Sequence, residues 1–402
     1  MATENGEPMS PEIVLGARRV GSAHSPLVIA EIGINHEGSV AKARQMVDDA
    51  ASAGCECVKF QCHVVDDEMI PNSVVPANAP DSIWEIMSRC ALTMDEEVSL
   101  KEYAEKKGLI FLSTPFSREA ARRLEKMGVL AYKIGSGECN NYPLVDHIAR
   151  YKKPIILSTG MNDIESIRKA VTIIRSHGAP FALLHCTSIY PTPYNKVRLG
   201  ALSELRSAFP DAVVGLSDHS VSNYPCLGGA ALGASILERH FTSDKSWPGP
   251  DIAISMGPSD LKELIEGSRA IHESLAGHKE ILREEQPTID FAYACVVAIR
   301  NIEKGEGLSH ENIWVKRPGT GEIKAGIFRL FWARRRFLTF AKTSKSDGTI
   351  YVWPINERRV CKLSSRQANF GDRWDGVDWA GDRQASARLR SEDGKSFFSR
   401  SD

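Results

Sequence analysis

Two histidines stand at the ends of successive apolar runs, His219 in "AVVGLSDHS" and His240 in "ASILERHF". In a parallel sheet consecutive strand ends lie side by side, so the two imidazoles can meet at one mouth. Neutral imidazoles with open positions around them suit a divalent metal that must also hold a substrate oxygen. Read alone, they serve equally well as two polar loop histidines. Lys59 inside "CVKF" and Lys133 inside "AYKIG" interrupt two other apolar runs. A charge there is costly unless it is paired or used, and each lysine alone could belong to a structural ion pair. Together with the hydroxyls of Thr114, Ser136 and Ser158 they suggest a site for a phosphate and a carboxylate. Glu31 and Glu138 are candidates for proton transfer or for gripping sugar hydroxyls.

The elements that must position these groups are legible as an alternation. Apolar runs at 27–34, 57–61, 109–113, 130–136, 154–158, 181–186, 212–217 and 234–240 are separated by stretches with helical spacing. The segment 39–54 predicts a helix opened by Ser39 and stopped by Gly54, and 161–178 one capped by Asp163 and stopped by Gly178. Eight such units over about 250 residues match a (β/α)8 TIM barrel. A doubly wound open sheet is the alternative, but "GINHEGS" lacks the glycine spacing of its phosphate turn. The polar residues at the C-terminal strand ends then carry the chemistry: Glu31, Lys59, Gln61, Ser113, Thr114, Lys133, Ser136, Glu138, Ser158, His185, Ser217, Asp218, His219, Glu238 and His240. The stretch 62–94 is too long for a simple connection and is expected to cover the mouth or touch a neighbour.

Bulk properties exclude other classes. The 50 basic and 51 acidic residues leave a formal net charge of −1, with no footprint for nucleic acid or an anionic membrane. The first twenty residues lack the apolar core of a secretory signal, and no run approaches a membrane span. Nine cysteines without metal-ligand spacing look like reduced core thiols of a cytoplasmic enzyme.

In order along the chain, the blocks "IAEIGINHEGS", "VKFQ", "STPFSREAA", "YKIGSGECNNYPL", "ILSTGM", "LLHCTSIYPTPY", "GLSDHS", "ILERHF" and "GPDIAISM" resemble the N-acetylneuraminate (sialic acid) synthase family. The segment from "EQPTIDFAYACVV" to "VKRPGTGE" resembles the start of that family's C-terminal antifreeze-like (SAF) domain. The resemblance implies a barrel over 1–282 and a SAF domain beginning at 283–327. It implies condensation of phosphoenolpyruvate with N-acetylmannosamine, by a homodimer in which the SAF domain caps the partner's barrel. His219 and His240 match the ligands of a divalent metal, Mn2+ with Mg2+ or Co2+ as alternatives, and both count as catalytic. Lys59, Gln61, Thr114, Lys133, Ser136, Ser158 and Ser217 match phosphoenolpyruvate-binding positions. Glu31 matches a proton-transfer carboxylate, and Glu138, Tyr190 and Asp251 match sugar-side and catalytic positions. Arg317 matches an arginine that reaches the sugar's N-acetyl group, while His36 and His185 are not implied as ligands. A sister synthase making legionaminic or pseudaminic acid, and a decayed, non-catalytic synthase, are the competing readings. A 3-deoxy-sugar-acid phosphate synthase would lack the segment 288–321.

The resemblance stops near Ala325, and 328–402 is rich in Arg and Ser with little periodicity, so a poorly ordered tail is expected. Codons for 331–350 shifted by two bases can be chosen to read the family's expected ending, which points to a frameshift near codon 326. A cap carrying this tail should hold Arg317 poorly and impair the enzyme. Resequencing the locus is expected to reveal the shifted frame; one continuous frame encoding the tail would overturn this reading.

Overall fold

The structure, a computed structural model, describes residues 10–303 and 305–328. The chain divides into two compact units, Met1–His278 and Lys279–Asp402. The expected aberrant tail, apart from Phe328, lies outside the described residues.

The first unit opens with an antiparallel hairpin, β1 (Glu12–Leu15) and β2 (Arg18–Gly21). Eight parallel strands follow: β3 (Leu27–Gly33), β4 (Cys57–Cys62), β5 (Ile110–Pro115), β6 (Tyr132–Ile134), β7 (Ile155–Ser158), β8 (Phe181–Cys186), β9 (Val213–Asp218) and β10 (Ile236–His240). Their order is β5-β4-β3-β10-β9-β8-β7-β6, and the outer members β5 and β6 lie against each other, so the sheet curls round into the expected barrel. An open doubly wound sheet is thereby excluded. Each strand is followed by a helix on the outside, from Val40–Ser52 after β3 to Pro258–Ser274 after β10. The two helix ends read from sequence are built as their residues dictate. Ser39 accepts from the Lys42 N–H, and Asp163 forms a reciprocal cap with Ser166. Gly54 and Gly178 take the left-handed conformation (φ 84° and 70°) that a side chain disfavours.

The side-chain period of two divides every strand between an outer and an inner face. Val28, Ala30 and Ile32 of β3, Val58 and Phe60 of β4, and Val214 and Leu216 of β9 face the helices in the main core. Their neighbours point into the barrel. At its N-terminal end the interior is apolar: Leu27, Ile29, Cys57, Leu112, Ala131, Ile156, Ala182, Leu184, Val213 and Ile236 pack together. Ile13, Leu15 and Val20 of the hairpin join this cluster and plug the barrel from below. The hairpin was not among the expected elements. Further along most of the strands, the same inward face becomes polar.

The stretch 62–94 holds helices Val65–Glu68 and Ile83–Cys90, joined by an extended segment. Asn78 donates to the Pro250 carbonyl at 3.1 Å, so the segment is tied to the loop that follows β10 at the C-terminal side of the barrel. The eight cysteines among the described residues are buried and free, as core thiols should be. No described helix is long and apolar enough to cross a membrane. The second unit contains helix Gln286–Ala292 and an antiparallel pair, β11 (Cys295–Ala298) with β12 (Ile313–Lys316).

Gly215 is a tight point of the inward face. A Cβ there would lie 2.6 Å from both the Ile236 carbonyl oxygen and Leu184 Cδ2. Gly215→Ala is expected to destabilise the barrel by about 1–3 kcal/mol, read as a lower melting temperature; an unchanged value would contradict this packing.

Candidate active site

The polar end of the inward face gathers four buried charges. Lys59 Nζ lies 2.6 Å from Glu31 Oε2 and 3.8 Å from Glu238 Oε2, and Lys133 Nζ lies 3.5 Å from Glu238 Oε1. All four residues are under 5% exposed. Lys59 donates to Thr114 Oγ1 (3.3 Å) and Lys133 to Ser158 Oγ (2.7 Å), while Ser217 donates to Glu238 Oε1 (3.0 Å). Gln61 donates its amide to Glu31 Oε1 at 3.0 Å. Through Glu238, the residues Glu31, Lys59, Gln61, Thr114, Lys133, Ser158 and Ser217 thus form one network of hydrogen bonds and ion pairs. Ser136 sits at its edge, its Oγ accepting from the Gly160 N–H at 3.0 Å.

Electrostatics follows from this packing. Burial pushes the Lys59 ammonium down, but Glu238 and Glu31 more than offset it, so its pKa ends above the usual lysine value. Lys133 is the opposite case: burial dominates, and its pKa falls below the usual lysine value despite Glu238. Glu238 is pushed up by burial and pulled down harder by Lys133, Lys59 and Ser217, so it stays ionised.

The histidines lie at the mouth of the same barrel. Their ring centroids are 5.5 Å apart, and the Tyr190 ring stacks on His219 at 4.2 Å. His219 Nδ1 donates to the Thr187 carbonyl at 3.0 Å, which leaves Nε2 available. His240 Nδ1 is buried without a hydrogen bond, with Asp251 Oδ2 at 3.7 Å. Burial lowers the pKa of His240. Burial also pushes His219 down, but the negative charge of the adjacent Cys186 as a thiolate, and the Thr187 carbonyl, raise it to about 9. A cation at this pair would find a lone pair on His240 and would displace a proton from His219. The orphaned nitrogen and the oriented imidazole fit a metal with two protein ligands. Among the described residues no group of three or more His, Cys, Asp or Glu side chains is arranged as a metal site.

Glu138 stands apart from the lysine network. Its Oε2 is buried without a partner, and a Cβ on Gly135 would come within 2.9 Å of it. Arg317 lies in the second unit, just after β12. His185 and Asp218 are on strands but on the outward face: His185 Nε2 bonds the Val197 carbonyl at 2.6 Å. His36 closes a turn by accepting from the Gly38 N–H at 3.0 Å.

Two groups escaped the sequence reading. Glu238, noted only as a strand-end residue, is the carboxylate at the centre of the lysine pair. His63 was not singled out; it bonds Glu68 Oε2 (2.8 Å) and Gln61 Oε1 (3.1 Å) and stacks on Phe116 at 4.7 Å. The signal for Glu238 was present, because it shares the inward parity of Ile236 and His240. None marked His63, which lies beyond the end of β4.

Burial, then the neighbouring Glu68 carboxylate, raises the Glu138 pKa to about 7. A carboxyl raised in the folded state stabilises the protein below its unfolded pKa of about 4.5, and that contribution is lost as pH rises through about 7. Glu138→Gln should therefore gain melting temperature relative to the unsubstituted chain between pH 5 and pH 8. A difference that is flat with pH would refute the raised pKa.

Comparison with known proteins agrees with the geometry. The NeuB family model matches residues 46–280 and the SAF domain model residues 293–333. An uncharacterized protein of Methanocaldococcus jannaschii is 40% identical over 85% of this chain and 98% of its own length. The N,N'-diacetyllegionaminic acid synthase of Campylobacter jejuni is 36% identical over 73% of this chain and 91% of its own. The crystal structure of N-acetylneuraminic acid synthetase from Leptospira borgpetersenii, in complex with citrate, superposes with a TM-score of 0.65 at 33% identity, over 70% of this chain and 96% of that one. A family match across most of the barrel, and relatives of this identity over nearly their whole length, lead to one conclusion: the chain belongs to the NeuB family of sialic-acid-type sugar synthases.

Proposed function

We propose that the protein condenses phosphoenolpyruvate with N-acetylmannosamine to give N-acetylneuraminate and inorganic phosphate. The observation that carries this reading is the pair of buried lysines, bridged by Glu238 and lined by three hydroxyls, inside the barrel that bears the histidine pair at its mouth. Lys59 and Lys133, with Thr114, Ser136, Ser158, Ser217 and Gln61, hold the phosphate and carboxylate of phosphoenolpyruvate by charge-assisted hydrogen bonds. Tyr190, Glu138 and Asp251 face the sugar. His219 and His240 would hold a divalent cation, Mn2+ or else Mg2+ or Co2+, which supplies Lewis-acid polarisation of the sugar aldehyde.

C3 of phosphoenolpyruvate forms a bond to the aldehyde carbon, and the aldehyde oxygen takes a proton. Water adds at C2 and loses a proton, and the C2–O bond to phosphate breaks as the new C2 hydroxyl gives its proton to the departing phosphate, leaving a ketone. Glu31, 2.6 Å from Lys59 and oriented by Gln61, is the carboxylate placed to carry a proton in these steps. In the cytoplasmic, domain-swapped homodimer that the resemblance implies, Arg317 of the SAF domain would reach the N-acetyl group, a hold that the tail after Ala325 should weaken. The Campylobacter relative's name supports a second reading, in which the acceptor is an amino sugar modified at C4 and C6 and the product is of the legionaminic acid type.

Phosphate release from phosphoenolpyruvate should require an amino sugar and a divalent cation, and should stop on chelation. Comparing N-acetylmannosamine with C4- and C6-modified acceptors separates the two readings by kcat/KM. Lys59→Met and Lys133→Met should each raise KM for phosphoenolpyruvate by at least about ten-fold, given the strength of charged hydrogen bonds. No phosphate release with any of these sugars would refute the function.

A further inference from the structure

Along β10 the side chains alternate, so Glu238 and His240 point into the barrel while Arg239 between them points out, among the helices. Arg239 is only 2% exposed. Its guanidinium donates to the Ser220 carbonyl at 2.6 Å and to Asn223 Oδ1 at 2.7 Å, and its Nε lies 3.6 Å from Asp218 Oδ2. Ser220 Oγ in turn donates to Asp218 Oδ2 at 2.6 Å. Asn223 donates to the Asp260 carbonyl (2.8 Å) and Glu263 Oε2 (2.9 Å) of helix Pro258–Ser274.

One side chain, the immediate neighbour of His240, therefore holds the residues on both sides of His219. The cross-strand register pairs Arg239 with Asp218 directly. A buried charge pair of this kind is weak evidence for stability, since well-packed apolar residues can replace it without loss. Its geometric effect is specific, because a planar fork that donates to Ser220 and Asn223 and lies beside the Asp218 carboxylate fixes the turn at 219–223 against β10. We infer that Arg239 is a positioning residue that sets the spacing and aim of the His219–His240 pair from behind the strand. It touches neither substrate nor cation. The inference rests on the proposed role of the two histidines in holding a divalent cation.

The test titrates Mn2+ into purified protein, followed by electron paramagnetic resonance, for the unsubstituted chain, Arg239→Lys and Asn223→Ala. Arg239→Lys keeps the charge and loses the fork; Asn223→Ala removes one arm while leaving the ion pair. Each should weaken Mn2+ binding by about ten-fold or more, in line with groups that orient metal-ligating histidines. Each should lower kcat at fixed Mn2+ while KM for phosphoenolpyruvate stays unchanged, a split that general loosening of the barrel would not produce. Undiminished Mn2+ affinity in both variants overturns the inference, as does a rise in phosphoenolpyruvate KM matching the fall in kcat. If Arg239→Lys fails to fold, Asn223→Ala decides, and failure of both assigns the network to folding and overturns it. If the unsubstituted chain binds no Mn2+, the cation reading fails instead. The positioning claim is then judged from crystal structures of the variants, where an unchanged 5.5 Å ring separation refutes it.

Discussion

The buried charge lattice of Glu31, Lys59, Glu238 and Lys133 is the constraint to which the rest of the barrel mouth answers. Any one of these groups, isolated from water, would be strongly unfavourable, and only the mutual contacts at 2.6 to 3.8 Å make the set tolerable. Four charges can meet that closely because four different strands, β3, β4, β6 and β10, deliver them at one level of a closed sheet. Both lysines also donate to hydroxyls, Lys59 to Thr114 and Lys133 to Ser158, so the ammonium groups are held in place. Preorganisation of this kind spares the reorganisation that solvent would require.

The barrel achieves this by one rule repeated along most of its strands. The inward face is apolar near the N-terminal end and polar further along, so a sealed base and a polar mouth come from one alternation. Leu27 and Ile29 precede Glu31, Cys57 precedes Lys59, Ile156 precedes Ser158, and Ile236 precedes Glu238 and His240. The hairpin at 12–21 makes the rule work by closing the base with Ile13, Leu15 and Val20. Without that plug the apolar layer would be open to water at one end.

Much of the site was legible because charge inside an apolar run is costly and so must have a purpose. That reasoning found Lys59 and Lys133, and the strand-end position found His219 and His240. It treated all strand-end polar residues alike, however, and so placed His185 and Asp218 beside residues that face the opposite way. Parity relative to the apolar inward residues separates them, but which parity faces inward depends on how the sheet curls. His63 could not be found at all, since its partners Glu68 and Gln61 are brought to it by the loop after β4.

The sequence by itself determined the eight-fold alternation, the helix caps at Ser39 and Asp163 and the family resemblance, because each rests on local propensity or on blocks read directly in order. Only the tertiary structure decided that Glu238 is the centre of the lysine pair, that the N-terminal hairpin is the barrel's plug, and that Arg239 ties the two histidine-bearing strands together. Those roles come from contacts between residues far apart in the chain, fixed by closure of the sheet and by strand register, neither of which any local pattern encodes.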